Sequence, residues 1–405
     1  MKYEILHDDK TNTIYEINEQ NFKEKSLENC LGYIGSSSKE KNGLDIIRAF
    51  YSDSKAILFD QTNQTIFSQL KHLGVEKFKT KKTKKTIFDD KDFSFMFFTS
   101  GSTGDSVGAL KTKNHLIKEV EVFTKLVNNY KIKKVIVTVP FIHIYGILVG
   151  LLYPLLNDID IVLKEHYLPF DLIDSIDENS LVVTTPLYIK ALNKVNMKKD
   201  FSNSLFVSST APLDDKDGKY FREKFNTDLI QIFGSTETGG IAYRKNDDQL
   251  WTPFDLVEVS TNDKNEMKVK SPFVSDILYE NGFKNIDGIM QTFDYIEEYE
   301  KQFKIIGRSS KILKIAGKRY STLQIENILE EQDKIEKALV FVKNDSKEFK
   351  SESLDITIET KESFTKKEII NILKTNLSNI KFNIQLHIVD EIPTNQVGKK
   401  LYIKS

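Results

Sequence analysis

The chain has 405 residues, a length that predicts two or three domains with a sizeable core. Its composition, 40% hydrophobic and 29% charged, is that of an ordinary soluble globular protein, and 58 basic against 59 acidic residues leave no global field for a nucleic-acid or anionic-membrane partner. The single cysteine, Cys30, cannot form an internal disulfide, and Met1-Lys2-Tyr3-Glu4 puts charge where a signal peptide carries its apolar core, so a cytoplasmic location is expected.

Residues 1 to about 90 hold short strand-like runs, notably Ala56-Ile57-Leu58-Phe59, and helical spacing from Leu44 to Phe50. The run Lys79 to Lys85, with threonines between the lysines, reads most simply as a solvated linker, with a phosphate-facing edge as the alternative. It leads to the apolar stretch Phe95-Met96-Phe97-Phe98, closed by Thr99-Ser100-Gly101-Ser102-Thr103-Gly104. Such a run bounded by glycine and hydroxyl residues predicts a buried parallel strand ending in a tight loop, where ligands collect in open α/β sheets. Glycines let the backbone approach a ligand, successive N–H groups can cradle an anion, and hydroxyls add donors, so the hexapeptide reads as a phosphate loop. A solvated turn is the alternative reading of the hexapeptide alone. No Gly-Lys-Ser/Thr follows at Walker A spacing.

Beyond the loop, Asn114 is placed to cap a helix whose Leu116, Val120, Phe123, Leu126, Val127 and Tyr130 share one face. From Val135 to Leu156 there is no charged residue, a length that could span a bilayer. Pro140 and Pro154 divide it and its start is β-branched, which favours a buried strand, a loop over Pro140 to Gly146 and a buried helix, with no membrane partner. That loop sets His143 among aromatics after a strand. Strands ending in polar loops follow at Leu181 to Pro186 and Leu205 to Ser209. Next comes Leu229-Ile230-Gln231-Ile232-Phe233-Gly234-Ser235-Thr236-Glu237-Thr238-Gly239-Gly240, in which Thr236 and Glu237 offer oxygen ligands for Mg²⁺. The alternation of strands and helices predicts a parallel sheet built from βαβ units.

The loop at 99–104, Pro-x-x-His-x-x-Gly at 140–146 and Gly-x-Thr-Glu at 234–237 occur in an order and spacing that resembles the adenylate-forming superfamily, which includes acyl- and aryl-CoA synthetases, peptide-synthetase adenylation domains and luciferases. The resemblance continues through Gln291-Thr292-Phe293-Asp294, through Ile306-Gly307-Arg308-Ser309-Ser310 and on to Ala316-Gly317. It also takes in Gln324-Ile325-Glu326, with a capping-box spacing from Ser321, and Pro393-Thr394-Asn395-Gln396-Val397-Gly398-Lys399. It implies an α/β fold in which a large N-terminal domain (1–308) of α/β sheet subdomains binds ATP and the acid. A small mobile α+β domain (309–405) carries the catalytic lysine, supported by a capped helix near Thr365 with Ile369, Leu373, Leu377 and Ile380 on one face.

The implied reaction activates a carboxylic acid as its adenylate, with pyrophosphate released, and passes the acyl group to a thiol. The resemblance gives catalytic roles to Lys399, His143 and Glu237. ATP contacts fall to Thr99, Ser100, Gly101, Ser102, Thr103, Gly104, Gly234, Ser235, Thr236, Asp294 and Arg308, and Mg²⁺ to Glu237 and Thr236. Phe141, Tyr145 and Gly146 would line the acid pocket, and Ser309-Ser310 would be the hinge that swings Lys399 away between steps.

Departures from the family pattern are equally specific. Ser106-Val107-Gly108 stands where Pro-Lys-Gly is usual, leaving Lys111 or Lys113 as substitutes for the missing lysine. Phe293 replaces a glycine, Ser310 replaces an Asp or Lys, and the roughly 98 residues before the loop make a shortened first subdomain. No aspartate near His143 could hold an ammonium group, which favours an aryl or alkyl acid over an amino acid. The thiol is coenzyme A or the phosphopantetheine of an acyl carrier protein, and the compact chain inclines the reading to the carrier. An amino-acid-activating ligase and a non-catalytic adenine-nucleotide binder are the alternatives.

Overall fold

The computed structural model describes residues 1–78, 85–100, 106–263, 265–308, 312–315, 318–343, 353–376, 383–394 and 400. The chain forms two compact units, Met1–Glu258 with Val269–Met290, and Val259–Lys268 with Gln291–Ser405.

In the first unit, five adjacent strands run parallel: Asp160–Leu163, Lys134–Val137, Ser180–Thr184, Leu205–Ser208 and Asp228–Ser235. Lys2–Leu6 extends the parallel set, and antiparallel strands close both edges to give nine among the described residues. These strands are near-continuous apolar runs because both faces are covered. Val135, Val137, Val183 and Val207 pack into one core with Leu116, Val120 and Phe123 of the Lys113–Val127 helix. Their alternate neighbours Ile136, Val182 and Phe206 join Leu172, Phe221 and Phe225 in another, as a period of two requires. The βαβ expectation therefore holds for this sheet.

Two local expectations give way. Phe95–Ser100 lies parallel to Lys55–Leu58, but it pairs antiparallel with Ser106–Lys111, so the expected parallel strand is parallel on one side only. The helix cap is Thr112, not Asn114: the His115 N–H donates to Thr112 Oγ1 at 3.2 Å and the Thr112 N–H donates to His115 Nδ1 at 3.3 Å, a reciprocal box that satisfies two donors.

The uncharged 135–156 stretch divides as expected into a strand and a helical run, Ile144–Ile147, Leu148–Leu152 and Tyr153–Leu156. Its middle widens to π turns just ahead of Pro154, which has no N–H for the preceding turn. Among the described residues no helix is long and apolar enough to cross a membrane.

The second unit is built on Glu258–Thr261, Glu266–Lys270, Ile289–Tyr299 and Gln302–Arg308 as one sheet, and on Lys337–Lys343, Ser353–Glu359 and Asn383–Val389 as another. The latter buries Val340, Ile356 and Ile358 against Ile325 and Leu329 of the Thr322–Glu330 helix and Ile369 and Leu373 of the Lys366–Asn376 helix. Thr365 and Glu368 cap that last helix reciprocally; Leu377 and Ile380 lie outside the described residues. The units part near Met290, whereas the sequence division falls after Arg308. Ile289–Tyr299 and Gln302–Arg308 are one antiparallel hairpin, so Asp294 and Arg308 stay together in the second unit.

Candidate functional site

The parallel strands of the first unit deliver their carboxyl ends to one edge of the sheet, where the loop after Val137, Thr184, Ser208 and Ser235 all emerge. Tyr145 knits that edge together. Its buried hydroxyl donates to Val207 O at 2.7 Å and lies 3.2 Å from Thr184 O, and burial pushes its pKa well above the usual phenol range. Gly146 is required by close approach, because a Cβ there would stand 2.2 Å from Pro140 O. Phe141 is fully buried, with its ring against the Gly43 and Gly150 positions. Phe141 thus packs in the core and Tyr145 ties strand ends together at the edge where the acid pocket is expected. His143 is half-buried at the start of the Ile144–Ile147 helix. Burial holds its imidazole below the ordinary histidine range against the opposing Asp60 charge, so it is neutral at pH 7.

The Gly-Ser-Thr-Glu motif forms the turn of a hairpin between Asp228–Ser235 and Gly239–Lys245. A Cβ on Gly234 would fall 2.3 Å from Gly239 O, a backbone atom that cannot swing aside. Gly234→Ala is accordingly expected to lower unfolding free energy by about 1–3 kcal/mol, the usual scale of overpacking, as read from urea denaturation. Within the turn Ser235 N donates to Thr238 Oγ1 at 3.1 Å, and Thr238 N returns to Ser235 Oγ at 3.2 Å. Ser235 and Thr238 thus brace the turn, and Thr238 is buried, while Thr236 and Glu237 at its tip are only half-buried.

Two charged residues that the sequence reading did not assign to this turn lie beneath it. Lys111 is fully buried, and its Nζ donates to Glu237 O at 2.9 Å and to Phe273 O. Glu119 accepts from Gly240 N at 2.6 Å. Burial pulls the Lys111 amine down and pushes the Glu119 carboxyl up, each opposed by the other's charge. The signal for Glu119 was present: it sits three residues after Leu116 and four before Phe123, on the apolar stripe of its helix. Lys113 donates instead to Asp53 Oδ1 at 2.7 Å and Phe50 O at 3.0 Å. Lys111 is thus spent on backbone carbonyls and Lys113 on Asp53, which corrects their expected role as substitutes for the lysine missing at Val107.

In the second unit Asp294 and Arg308 stand opposite each other in the antiparallel pair, with Asp294 buried and its N–H donating to Thr292 Oγ1 at 3.1 Å. Phe293, the departure from glycine, is 54% exposed, so its bulk meets no packing conflict. Lys400 donates to Glu326 Oε2 at 3.1 Å, to Ala338 O at 2.7 Å and to Glu330 Oε1. Thr99 and Ser100 end a strand, paired with Val107 and Ser106. Gly101, Ser102, Thr103, Gly104, Ser309, Ser310 and Lys399 lie outside the described residues.

The donor set at the turn suits Mg²⁺. That cation takes oxygen ligands and is commonly held by one or two side chains plus substrate phosphates. Thr236 and Glu237 supply hard oxygens at an accessible tip, and among the described residues no group of three or more His, Cys, Asp or Glu forms a closed metal cage.

A hydroxyl-and-carboxylate turn thus stands at the carboxyl edge of a doubly covered parallel sheet, the edge where ligands bind in open α/β folds. The sequence profile described as AMP-binding enzyme matches residues 36–272, and the chain belongs to that family. It is 24% identical over 414 residues to the probable 4-coumarate–CoA ligase 1 of Dictyostelium discoideum, covering 89% of this chain and 74% of that one. Its fold is similar to O-succinylbenzoate coenzyme A synthetase (MenE) from Bacillus subtilis in complex with ATP and magnesium ion, with TM-score 0.80 and 16% identity over 98% of this chain and 94% of that one. It is also similar to McyG A-PCP complexed with phenylalanyl-adenylate, with TM-score 0.76 and 14% identity over 98% and 90%.

Proposed function

We propose that this protein is an AMP-forming acid–thiol ligase that activates an aryl or alkyl carboxylic acid with ATP and transfers the acyl group to coenzyme A. The observation that carries the proposal is the braced hairpin turn offering Thr236 and Glu237, in a chain of the AMP-binding family.

A carboxylate is a poor electrophile, since its leaving group would be oxide. In the first step one carboxylate oxygen attacks the α-phosphorus of ATP in line. A new P–O bond forms as the bond to the β-phosphate oxygen breaks, and pyrophosphate leaves. Two anions must approach, so the site has to supply fixed donors and positive charge. Lys399 is assigned to the carboxylate and α-phosphate oxygens, the 99–104 segment to the outer phosphates, and Asp294 with Arg308 to the ribose. Asp294 can accept from both ribose hydroxyls. Mg²⁺ neutralises phosphate charge when bound, and Thr236 and Glu237 would hold it. His143, neutral at pH 7, can face an apolar acid without presenting a competing charge. In the second step the thiol sulfur attacks the acyl carbon, AMP leaves and the thiol proton is released. Ser309-Ser310 is the proposed hinge between the two steps.

Coenzyme A is preferred over a carrier protein because the curated relative is a CoA ligase, which reverses the inclination drawn from chain compactness. A carrier arm is the second reading, supported by the likeness to McyG A-PCP. A cytoplasmic location is part of the same proposal, supported by the single, buried and unpaired Cys30.

The test is ATP–pyrophosphate exchange with a panel of benzoates, cinnamates, fatty acids and amino acids. Exchange with an aryl or alkyl acid, followed by thioester on adding coenzyme A, is the expected result. Exchange with amino acids alone would overturn the substrate class. ATP binding without exchange for any acid would establish the non-catalytic alternative that the valine at position 107 favours.

A further inference from the structure

We infer that Lys111 and Glu119 are positioning residues for the Mg²⁺-binding turn: the fully buried Lys111 amine and the half-buried Glu119 carboxyl grip its two legs from below and set where Thr236 and Glu237 stand. The inference rests on the assignment of Mg²⁺ to that turn. Lys111 Nζ holds the carbonyl of Glu237 itself, which also accepts from Ser275 N at 2.9 Å. Glu119 holds the amide of Gly240 on the returning strand. Between these grips Gly239 has φ +74°, and a Cβ there would lie 2.6 Å from Glu119 Oε2 and 2.9 Å from Phe273 Cβ. The turn is therefore seated directly on the Glu119 carboxylate. With the backbone fixed from beneath and Ser235–Thr238 bracing it from within, the Thr236 and Glu237 side chains are left at the accessible tip.

Stability alone does not account for the pair. Taking charged groups out of water costs stability, and apolar residues of similar volume often fill such positions at no loss. What an apolar pair cannot do is hold a specific carbonyl and a specific amide. Outer-shell partners of this kind typically change metal affinity by about 10- to 100-fold when removed.

The test uses the full chain with Lys111→Met, which fits the space but drops the carbonyl grip. Should that variant fail to fold, the double variant Lys111→Met with Glu119→Gln removes both charges together. ATP affinity is measured by calorimetry across a Mg²⁺ titration, beside urea denaturation. The expected result is a Mg²⁺ midpoint raised about tenfold or more, with Mg²⁺-free ATP affinity unchanged. An unchanged Mg²⁺ midpoint, or equal loss of ATP affinity with and without Mg²⁺, would mean that the pair serves only the fold and would overturn the inference. Wild-type ATP binding that ignores Mg²⁺ would instead defeat the metal assignment of the turn, and the inference with it.

Discussion

Lys399→Ala is expected to lower carboxylate-dependent ATP–pyrophosphate exchange by about two to three orders of magnitude, the scale for losing one fixed electrostatic donor at a reacting centre. The reason lies in the first step, in which a carboxylate oxygen is driven towards an α-phosphoryl group that is itself anionic. Thioester formation from a preformed adenylate creates no such encounter and should fall far less. Rapid-quench measurement of the two half-reactions separates them, and equal loss in both would remove Lys399 from its assigned role. The unfolding midpoint of the variant should match that of the wild type.

Lys400→Ala should do the reverse, damaging the fold before the chemistry. The Lys400 ammonium is mostly buried between Glu326 and Glu330, with Ala338 O as a third acceptor. Burial alone would lower its pKa, yet the two carboxylates outweigh that and raise it, so it is charged throughout the neutral range. Those carboxylates are committed to the adjoining strand as well: Glu326 accepts from Val340 N at 3.0 Å and Glu330 from Ala338 N at 2.7 Å. They cannot turn out to water without releasing it. Removing one partner of a buried pair typically costs about 3–5 kcal/mol, because a charge is left uncompensated. Denaturation of the variant should show that loss, and Lys400→Arg should recover part of it. A variant as stable as the wild type would mean that the glutamates find other partners. Two adjacent lysines, indistinguishable by type, are thus expected to fail in different assays.

Much of the first unit was legible in the sequence because its strands are buried on both faces. Runs such as Leu181-Val182-Val183 have no other stable reading, and the helix stripe from Leu116 to Val127 is regular. The hairpin at Ser106–Lys111 was not legible. Ser-Val-Gly-Ala-Leu-Lys lacks alternation, and it ends in a lysine whose burial depends on two carbonyls far along the chain. Glu119 sits on the apolar stripe, but a charged side chain is read as solvated until a backbone amide is found to donate to it. The motif residues themselves stood out, since Gly234 and Gly146 are each demanded by a backbone contact shorter than any side chain allows.

The hairpin that brackets the glycine-rich segment also governs how that segment can vary. Its two anchoring positions, Ser100 and Ser106, are partners on adjacent strands, which holds the gap between them to about one interstrand spacing, roughly 5 Å. A one-residue slip of the ladder would exchange Phe97, in one core, with Met96, in another. Any change of length between the anchors must therefore keep the register of Phe95–Ser100 against Ser106–Lys111, or it moves Phe97 and Met96 between the two cores.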